Sequence, residues 1–263
     1  MNLFGFDKRY FGKSGSDGLA GVDEAGRGCF AGPVVAACVW LKRSFFEKST
    51  PVKRAAFIND SKQLGAETRE EVFALIRHWE EAGDLFFATG TASVIEIESF
   101  NILGATHLAM NRAIEGVLFK AGYTMENPPF APAGTTDTPL FADKTLWVPI
   151  LVDGLPLQPF AWQHEAIVGG DAKSLSVAMA SIAAKVTRDS MMCDLAKKYP
   201  QYAFEKNKGY GTPEHIKALR EHGVCELHRL KFLHKLASNP ELKIPGLSKV
   251  LGDSEPSQEE FEF

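Results

Sequence analysis

Three observations in this 263-residue sequence predict an α/β fold with a mixed five-stranded sheet, flanking helices and a helical C-terminal region. Short apolar runs alternate with segments whose apolar residues recur at helical spacing. The first two runs, residues 19–23 and 34–41, are joined by a connection too short for a parallel crossover, so they are predicted to pair antiparallel. Beyond residue 171 the patterns are mainly helical.

The remaining elements follow from the spacing of apolar residues. In residues 67–81, Val72, Ile76 and Trp79 fall on one helical face. Further helices are predicted at residues 101–119, 171–198, 213–222 and 229–236, and further strands at residues 85–91, 147–152 and 165–168. The length and the 45% hydrophobic composition suffice for one large domain or two small ones. We expect one catalytic domain over residues 1–236.

Two segments depart from this alternation. Residues 123–146 contain four prolines and a Gly-Thr-Thr sequence, which predicts a surface loop or insertion within the domain. Residues 237–263 contain two lysines against six acidic residues, which predicts an acidic, flexible tail.

Charge and cysteine usage limit the classes of protein that fit. The net charge is −4, so the bulk charge does not favour nucleic-acid binding, although residues 171–236 carry twelve Lys and Arg against seven Asp and Glu. The four cysteines form no Cys-x-x-Cys pair, which predicts reduced thiols. Neither a signal peptide nor a membrane-spanning segment is predicted. A cytoplasmic protein follows.

The clearest candidate for chemistry is the sequence GVDEAGRG at residues 21–28. Asp23 and Glu24 lie where a buried strand ends, and carboxylates beside a core are costly unless a cation compensates them. The following Gly26-Arg27-Gly28 turn lets a phosphate or another backbone approach closely. The alternative is a polar turn between two hairpin strands, although such turns prefer Asn-Gly or Asp-Gly.

Two further acids are predicted to join them. Asp153 ends the strand at residues 147–152, and Asp171 begins the long helix. Strand ends and helix starts at one edge of an α/β sheet can converge, and four converging carboxylates favour Mg²⁺ or Mn²⁺. Two such ions can promote phosphodiester hydrolysis. Taken singly, Asp153 also fits a turn residue and Asp171 a helix N-cap.

These motifs, with others in the chain, resemble those of type 2 ribonucleases H, ribonuclease HII in particular. The matching blocks occur in the family order: DEAGRG at 23–28, NDSK at 59–62, VDG at 152–154, GDAKS at 170–174, ASIAAKVTRD at 180–189, and KGYGT at 208–212 followed by His215 and His228-Arg229. The departures are Glu205 and Asn207, where the family often carries histidines, and Lys231, where it usually has a small hydroxyl residue.

The resemblance implies an RNase H-like fold and an endoribonuclease that cleaves the RNA strand of RNA–DNA hybrids. It also implies cleavage at single ribonucleotides in duplex DNA, with 3′-hydroxyl and 5′-phosphate products. The implied metal-binding catalytic residues are Asp23, Glu24, Asp153 and Asp171, with Mg²⁺ or Mn²⁺ as cofactor. The residues implied to recognise the ribose 2′-hydroxyl are Gly26, Arg27, Gly28 and Tyr210, and Lys62 is implied to lie near substrate phosphates.

Two alternatives are weighed against this interpretation. Ribonuclease HIII carries a sizeable N-terminal substrate-binding domain, whereas 22 residues precede Asp23 here. A hybrid-binding protein without catalysis would need no cluster of acids, because uncompensated carboxylates repel phosphate.

The chain end carries one more pattern. Gln258, Phe261 and Phe263 form a Gln-x-x-Phe-x-Phe sequence that resembles the short terminal peptides that bind DNA sliding clamps. A clamp-binding peptide is one prediction for residues 258–263, and a solvated tail or a tail packed on its own domain are the others.

Overall fold

A computed structural model of the chain describes residues 2–14, 16–48, 58, 64–126, 128–131, 148–237, 244, 245 and 247. The chain divides into two compact units. The first comprises Met1–Ala25, Val35–Thr91 and Thr106–Thr187, and the second comprises Gly26–Val34, Ala92–Ala105 and Arg188–Phe263.

The predicted mixed five-stranded sheet is confirmed. Its strands are β1 (Gly18–Ala25), β2 (Val34–Lys42), β3 (Leu85–Ala92), β4 (Ile150–Asp153) and β5 (Glu165–Ile167), in the spatial order β3-β2-β1-β4-β5. Strand β1 pairs antiparallel with β2, as the short connection predicts, and parallel with β4. Strand β4 pairs parallel with β5.

Eight α-helices are assigned among the described residues: α1 (Leu3–Ser14), α2 (Arg43–Glu47), α3 (Ala66–Glu81), α4 (Val94–Lys120), α5 (Leu175–Lys198), α6 (Phe204–Asn207), α7 (Pro213–His222) and α8 (His234–Ala237). Helix α4 begins earlier than predicted and is kinked at Asn101, where φ is 57°. The helix predicted at 229–236 is instead a 3₁₀ turn, Leu230–Leu233, followed by α8.

The core of the first unit lies between the sheet and its helices. Strand β2 is buried at every position but its last, so its nearly continuous apolar sequence fits a strand covered on both faces. Trp79 of α3 packs edge-on against Phe45 at 5.3 Å between ring centroids. Gly21 of β1 allows α5 to approach, because an added Cβ there would collide with the backbone of Ser176 and Val177.

The second unit has a separate core, in which Met192, Tyr202, Phe204, Leu219 and Leu233 are buried. Among the described residues, each helix is too short or too polar to cross a bilayer. The four cysteines are free thiols, as predicted.

Candidate active site

Two of the predicted acids lie side by side at one edge of the sheet. Strands β1 and β4 run parallel with Val22 opposite Val152. The next residues are Asp153, the last residue of β4, and Asp23, two residues before the end of β1. Ligand sites of α/β sheets form at this edge, because the loops that leave the carboxyl ends of the strands surround it. Both acids belong to the first unit.

The electrostatics of Asp23 show that this edge concentrates negative charge. Its side chain is 5% exposed. Burial, and then the charges of Glu24 and Asp153, hold the pKa of Asp23 well above its usual range, whereas a hydrogen bond with Ser181 opposes that rise. The backbone N–H of Glu24 also donates to Asp23 Oδ1 at 2.7 Å. A nearby cation would favour the ionised form of Asp23.

A hydrogen bond joins Asp153 to Gly170, the residue before Asp171. The backbone N–H of Gly170 donates to Asp153 Oδ1 at 2.6 Å, and Asp171 is the next residue along the chain. Asp171 is 3% exposed. It lies within a 3₁₀ turn, Gly170–Ala172, four residues before α5 begins at Leu175, so the prediction that it begins the helix is wrong.

The N-terminus of α5 has other capping groups, which removes the N-cap alternative for Asp171. Ser174 Oγ accepts from the N–H of Val177 at 3.3 Å, as an N-cap hydroxyl does. The carboxylate of Asp7, from α1, accepts from the N–H of Ser176 at 2.8 Å. Asp7 lies 169 residues from Ser176, and no local pattern identifies such a remote cap.

The chemistry of the four acids fits a hard divalent cation. Carboxylate oxygens are the ligands that Mg²⁺ and Mn²⁺ prefer, and ionised acids at one sheet edge repel one another without a cation. Across the residues that the structure describes, no group of three or more Asp, Glu, His or Cys side chains is arranged to enclose a metal ion as it stands. The burial of Asp23 close to Glu24 and Asp153 favours a cation here, and it raises the pKa of Asp23 in the cation's absence.

The Gly26-Arg27-Gly28 turn lies in the second unit, and its two glycines differ. Gly26 is buried with φ of 95°, and an added Cβ would collide with the guanidinium of Arg188. Gly28 is exposed, and an added Cβ would meet no atom within 4 Å. Gly26 is therefore required for packing, whereas Gly28 leaves backbone accessible to a ligand.

Two fully buried arginines of the second unit hold the chain around this turn. Arg188 donates to the carbonyls of Pro33, Ala31 and Lys208 at 2.9, 3.1 and 2.9 Å. Arg229 donates twice to the carbonyl of Gly32, at 2.9 and 2.8 Å, and once to that of Arg27 at 2.8 Å. Burial lowers the pKa of Arg229 to about 10, so it remains charged at neutral pH. Arg188 lies in the ASIAAKVTRD motif and Arg229 in the His228-Arg229 pair, and the motifs by themselves do not indicate which carbonyls these residues bind.

Tyr210 combines an exposed ring with a fixed backbone. Its side chain is 41% exposed, and the Arg188 guanidinium lies 5.9 Å from its ring centroid. Its N–H donates to the Asn207 carbonyl at 2.9 Å. Burial, and then the adjacent Cys29, raise the pKa of the Tyr210 hydroxyl, which is therefore protonated and able to donate at neutral pH.

Asn207, one of the departures from the family pattern, has a structural function. Its side-chain amide donates to the Tyr202 carbonyl at 2.6 Å and accepts from the N–H of Gly209 at 2.7 Å. Glu205 is exposed. Lys62 and the pattern at residues 258–263 lie outside the described residues.

Comparison with known sequences identifies relatives over most of the chain. The sequence profile of the family Ribonuclease HII matches residues 20–128 and 148–237. A ribonuclease HII of Endomicrobium trichonymphae is 41% identical over 246 residues, covering 92% of this chain and 99% of the relative. A ribonuclease HII of Desulfitobacterium hafniense is 42% identical over 214 residues, covering 81% of this chain and 68% of the relative.

Solved structures resemble this fold at low sequence identity. The ribonuclease H2 of Pyrococcus horikoshii superposes with a TM-score of 0.55 at 22% identity, covering 84% of this chain and 100% of that one. A structure of the PCNA:RNase HII complex from Archaeoglobus fulgidus gives a TM-score of 0.56 at 20% identity, covering 88% and 99% of the two chains. These similarities confirm the predicted RNase H-like fold.

Proposed function

The chain belongs to the ribonuclease HII family of metal-dependent hydrolases that act on the RNA of RNA–DNA hybrids, and we propose that it also cleaves at single ribonucleotides in duplex DNA. The proposed reaction is two-metal-ion phosphodiester hydrolysis that leaves 3′-hydroxyl and 5′-phosphate ends. The observation that carries the proposal is the position of Asp23 and Asp153, each directly after the paired residues Val22 and Val152 of the adjacent parallel strands β1 and β4. The proposed compartment is the cytoplasm.

The four acids would hold the ions. Asp23, Glu24 and Asp153 supply carboxylates from the sheet edge, and Asp171 supplies one from the 3₁₀ turn whose first N–H fixes Asp153. Bound divalent ions would lower the pKa of an attacking water and stabilise the leaving oxygen. The hydrogen bond of Gly170 to Asp153 Oδ1 orients that carboxylate.

The second unit supplies the groups proposed to distinguish RNA from DNA. The 2′-hydroxyl both donates and accepts, so it pairs well with accessible backbone groups. Gly28 offers such backbone, and Tyr210 offers a ring for the sugar and a protonated hydroxyl. Arg27 and Gly26 complete the turn. Lys62, outside the described residues, is proposed to contact phosphate, where a cationic side chain adds affinity without sequence preference.

The experiment that tests the catalytic assignment is Asp153→Asn, assayed with a duplex containing one ribonucleotide and saturating Mg²⁺. We expect loss of turnover, because an amide is a poor ligand for the cation and carries no charge, with an unchanged circular dichroism spectrum. The control is Asp194→Asn, since Asp194 is exposed and pairs only locally with Lys197 at 2.7 Å. Cleavage by Asp153→Asn near the wild-type rate would contradict the assignment.

Junction recognition is tested with Tyr210→Ala on two substrates, a single-ribonucleotide duplex and a long hybrid. We expect a larger loss on the former, because phosphate contacts supply most of the affinity for any duplex. Gly28→Ala should show the same bias without loss of stability, since an added Cβ there meets open space. Equal losses on both substrates would count against a 2′-hydroxyl contact.

The non-catalytic alternative makes a different prediction for the same assay. A hybrid-binding protein would retain affinity and show no metal-dependent nicking. The product ends separate two-metal hydrolysis from other cleavage chemistry, because in-line attack by water leaves 3′-hydroxyl and 5′-phosphate ends, whereas attack by the 2′-hydroxyl leaves a cyclic phosphate.

A sliding clamp is a second proposed partner. The ribonuclease HII from Archaeoglobus fulgidus was solved as a complex with PCNA. We propose that Phe261 and Phe263 of this chain anchor it to a clamp. Deleting residues 257–263 should abolish clamp binding and leave cleavage of a short oligonucleotide unchanged. The absence of binding by the full chain at about 10–100 μM, the weak end of the affinity scale, would end the proposal.

A further inference from the structure

A buried histidine pair lies beneath Tyr210 in the second unit. The Nε2 atoms of His215 and His228 are 3.0 Å apart. His215 is fully buried and His228 is 2% exposed. Tyr202 packs edge-on against His228 at 4.8 Å, and Phe204 packs edge-on against His215 at 5.4 Å between ring centroids. These rings exclude water, so the imidazoles depend on their protein partners.

The contact of His215 with the Tyr210 carbonyl indicates which imidazole nitrogens carry hydrogen. His215 Nδ1 lies 2.8 Å from the Tyr210 carbonyl, and a carbonyl only accepts, so His215 Nδ1 carries hydrogen. In a neutral His215, Nε2 then accepts, which requires that His228 Nε2 donate. A neutral His228 must therefore accept at Nδ1.

The contact of His228 with Cys225 independently indicates that His228 accepts at Nδ1. The backbone N–H of Cys225 points at His228 Nδ1 at 2.9 Å, and an N–H only donates. The competing contact, His228 Nδ1 to the Cys225 carbonyl, is longer at 3.3 Å, and that carbonyl already accepts from the N–H of His228 at 3.0 Å. Burial lowers the pKa of both histidines, which agrees with two neutral rings.

We propose that His215 and His228 are positioning residues for Tyr210, linked in a neutral relay of fixed direction. The relay runs from the N–H of Cys225 to His228, from His228 Nε2–H to His215 Nε2, and from His215 Nδ1–H to the carbonyl of Tyr210. The N–H of Cys225 only donates and the carbonyl of Tyr210 only accepts, so no other pair of imidazole tautomers keeps all three hydrogen bonds. The relay deepens the proposed function, because it rests on the 2′-hydroxyl contact proposed for Tyr210.

The relay matters for Tyr210 because its last hydrogen bond helps to fix the backbone carbonyl of that residue. The carbonyl of Tyr210 accepts from His215 and also from the N–H of Thr212 at 2.8 Å, and its N–H donates to Asn207. With both backbone groups fixed, the Cα–Cβ direction is set. Binding a sugar against the ring then costs less conformational entropy, because the backbone of Tyr210 is already ordered.

The direct test is the imidazole tautomers of the full-length protein, measured by long-range ¹H–¹⁵N correlation NMR at neutral pH. We expect His215 as the Nδ1–H form and His228 as the Nε2–H form. A charged ring at either position, or the reverse tautomers, would overturn the relay. This measurement does not depend on what Tyr210 contacts, so it stands apart from the proposed function.

Kinetics test the consequence for Tyr210. His215→Asn keeps a side-chain amide toward the Tyr210 carbonyl but loses contact with His228, and His215→Leu loses both. On a single-ribonucleotide duplex with saturating Mg²⁺ we expect kcat/KM to fall about tenfold for His215→Leu, the equivalent of one lost hydrogen bond, and less for His215→Asn. His222→Asn on the same helix is the control, because His222 is 46% exposed and outside the relay.

A double-mutant cycle separates positioning from general instability. In the Tyr210→Ala background, the loss of kcat/KM caused by His215→Asn should disappear. In the wild-type background, that loss should be smaller on a long hybrid than on the single-ribonucleotide duplex. An undiminished loss in the Tyr210→Ala background would overturn positioning through Tyr210. If Tyr210→Ala alone shows no junction-specific loss, the proposed function fails instead, whatever the tautomers are.

Discussion

The sheet edge of the first unit and the glycine turn of the second unit handle buried charge in opposite ways. At the sheet edge, burial raises the pKa of Asp23, and the like charges of Glu24 and Asp153 raise it further. Around the turn, Arg188 and Arg229 are buried cations whose donors meet backbone carbonyls at 2.8 to 3.1 Å. The arrangement of the acids destabilises the folded protein, whereas the hydrogen bonds of the arginines stabilise it.

The difference indicates which region is built for a ligand. A buried charge whose hydrogen bonds are satisfied within the protein serves the fold, because removing it leaves its partners unpaired. A group of like charges is retained only where something outside the chain compensates it. The acids at the sheet edge, Asp23, Glu24 and Asp153, are therefore expected to be dispensable for folding, whereas Arg188 and Arg229 are not.

The largest effect is expected from Arg229→Met. It leaves the carbonyls of Gly32 and Arg27 without three charged donors, which should lower the free energy of unfolding by about 3–5 kcal/mol. Urea denaturation followed by circular dichroism measures it. Arg220→Met is the control, because Arg220 is exposed on α7. A similar loss in both variants would contradict a structural function of the buried guanidinium.

Gly26→Ala should come next, at about 3 kcal/mol. The positive φ disfavours a Cβ, and that Cβ would displace Arg188 from its three carbonyls. The matched control is Gly28→Ala, which should change the melting temperature by less than about 2 °C, since surface changes away from strained sites are small. Equal destabilisation would show that the turn is strained throughout.

Asp7 extends the comparison to an acid that does serve the fold. Burial raises its pKa to about 6 from 3.8, although the N–H of Ser176 opposes the rise. The folded state therefore binds a proton more tightly than the unfolded state, so stability is full below pH 3.8 and declines as pH rises to about 6. The decline should be about 2–3 kcal/mol.

Asp7→Asn tests this dependence, since the amide oxygen can still accept from Ser176. We expect a flatter stability profile between pH 4 and 6 and a melting temperature at pH 7.5 at or above that of the wild type. An unchanged pH profile would show that another group is responsible.

The smallest effect is expected from Asp23→Asn without metal. Removing one of several like charges should raise the melting temperature by roughly 2–4 °C, the equivalent of about 1 kcal/mol, while turnover is lost. The pKa of Asp23 is raised, so the wild-type protein should gain stability on acidification toward pH 4, and the variant should gain less. A lower melting temperature for the variant would mean that Asp23 serves the fold.

Sequence patterns identified most of the architecture because the relevant signals are local. The apolar periodicity located α3, α7 and all five strands, and the short connection between β1 and β2 determined their antiparallel pairing. Periodicity did not locate the kink at Asn101 or the 3₁₀ turns, because short backbone departures leave the apolar spacing almost unchanged.

The four acids and the glycine turn were visible in the sequence by itself, since each lies in a short contiguous motif at the end of a predicted element. Tertiary structure alone decided how their surroundings are satisfied. Arg229 donates to a carbonyl 197 residues away, Asp7 caps a helix 169 residues away, and His228 reaches Tyr210 only through His215. Such contacts leave no periodic trace, because a hydrogen bond depends on distance and direction in space and not on separation along the chain.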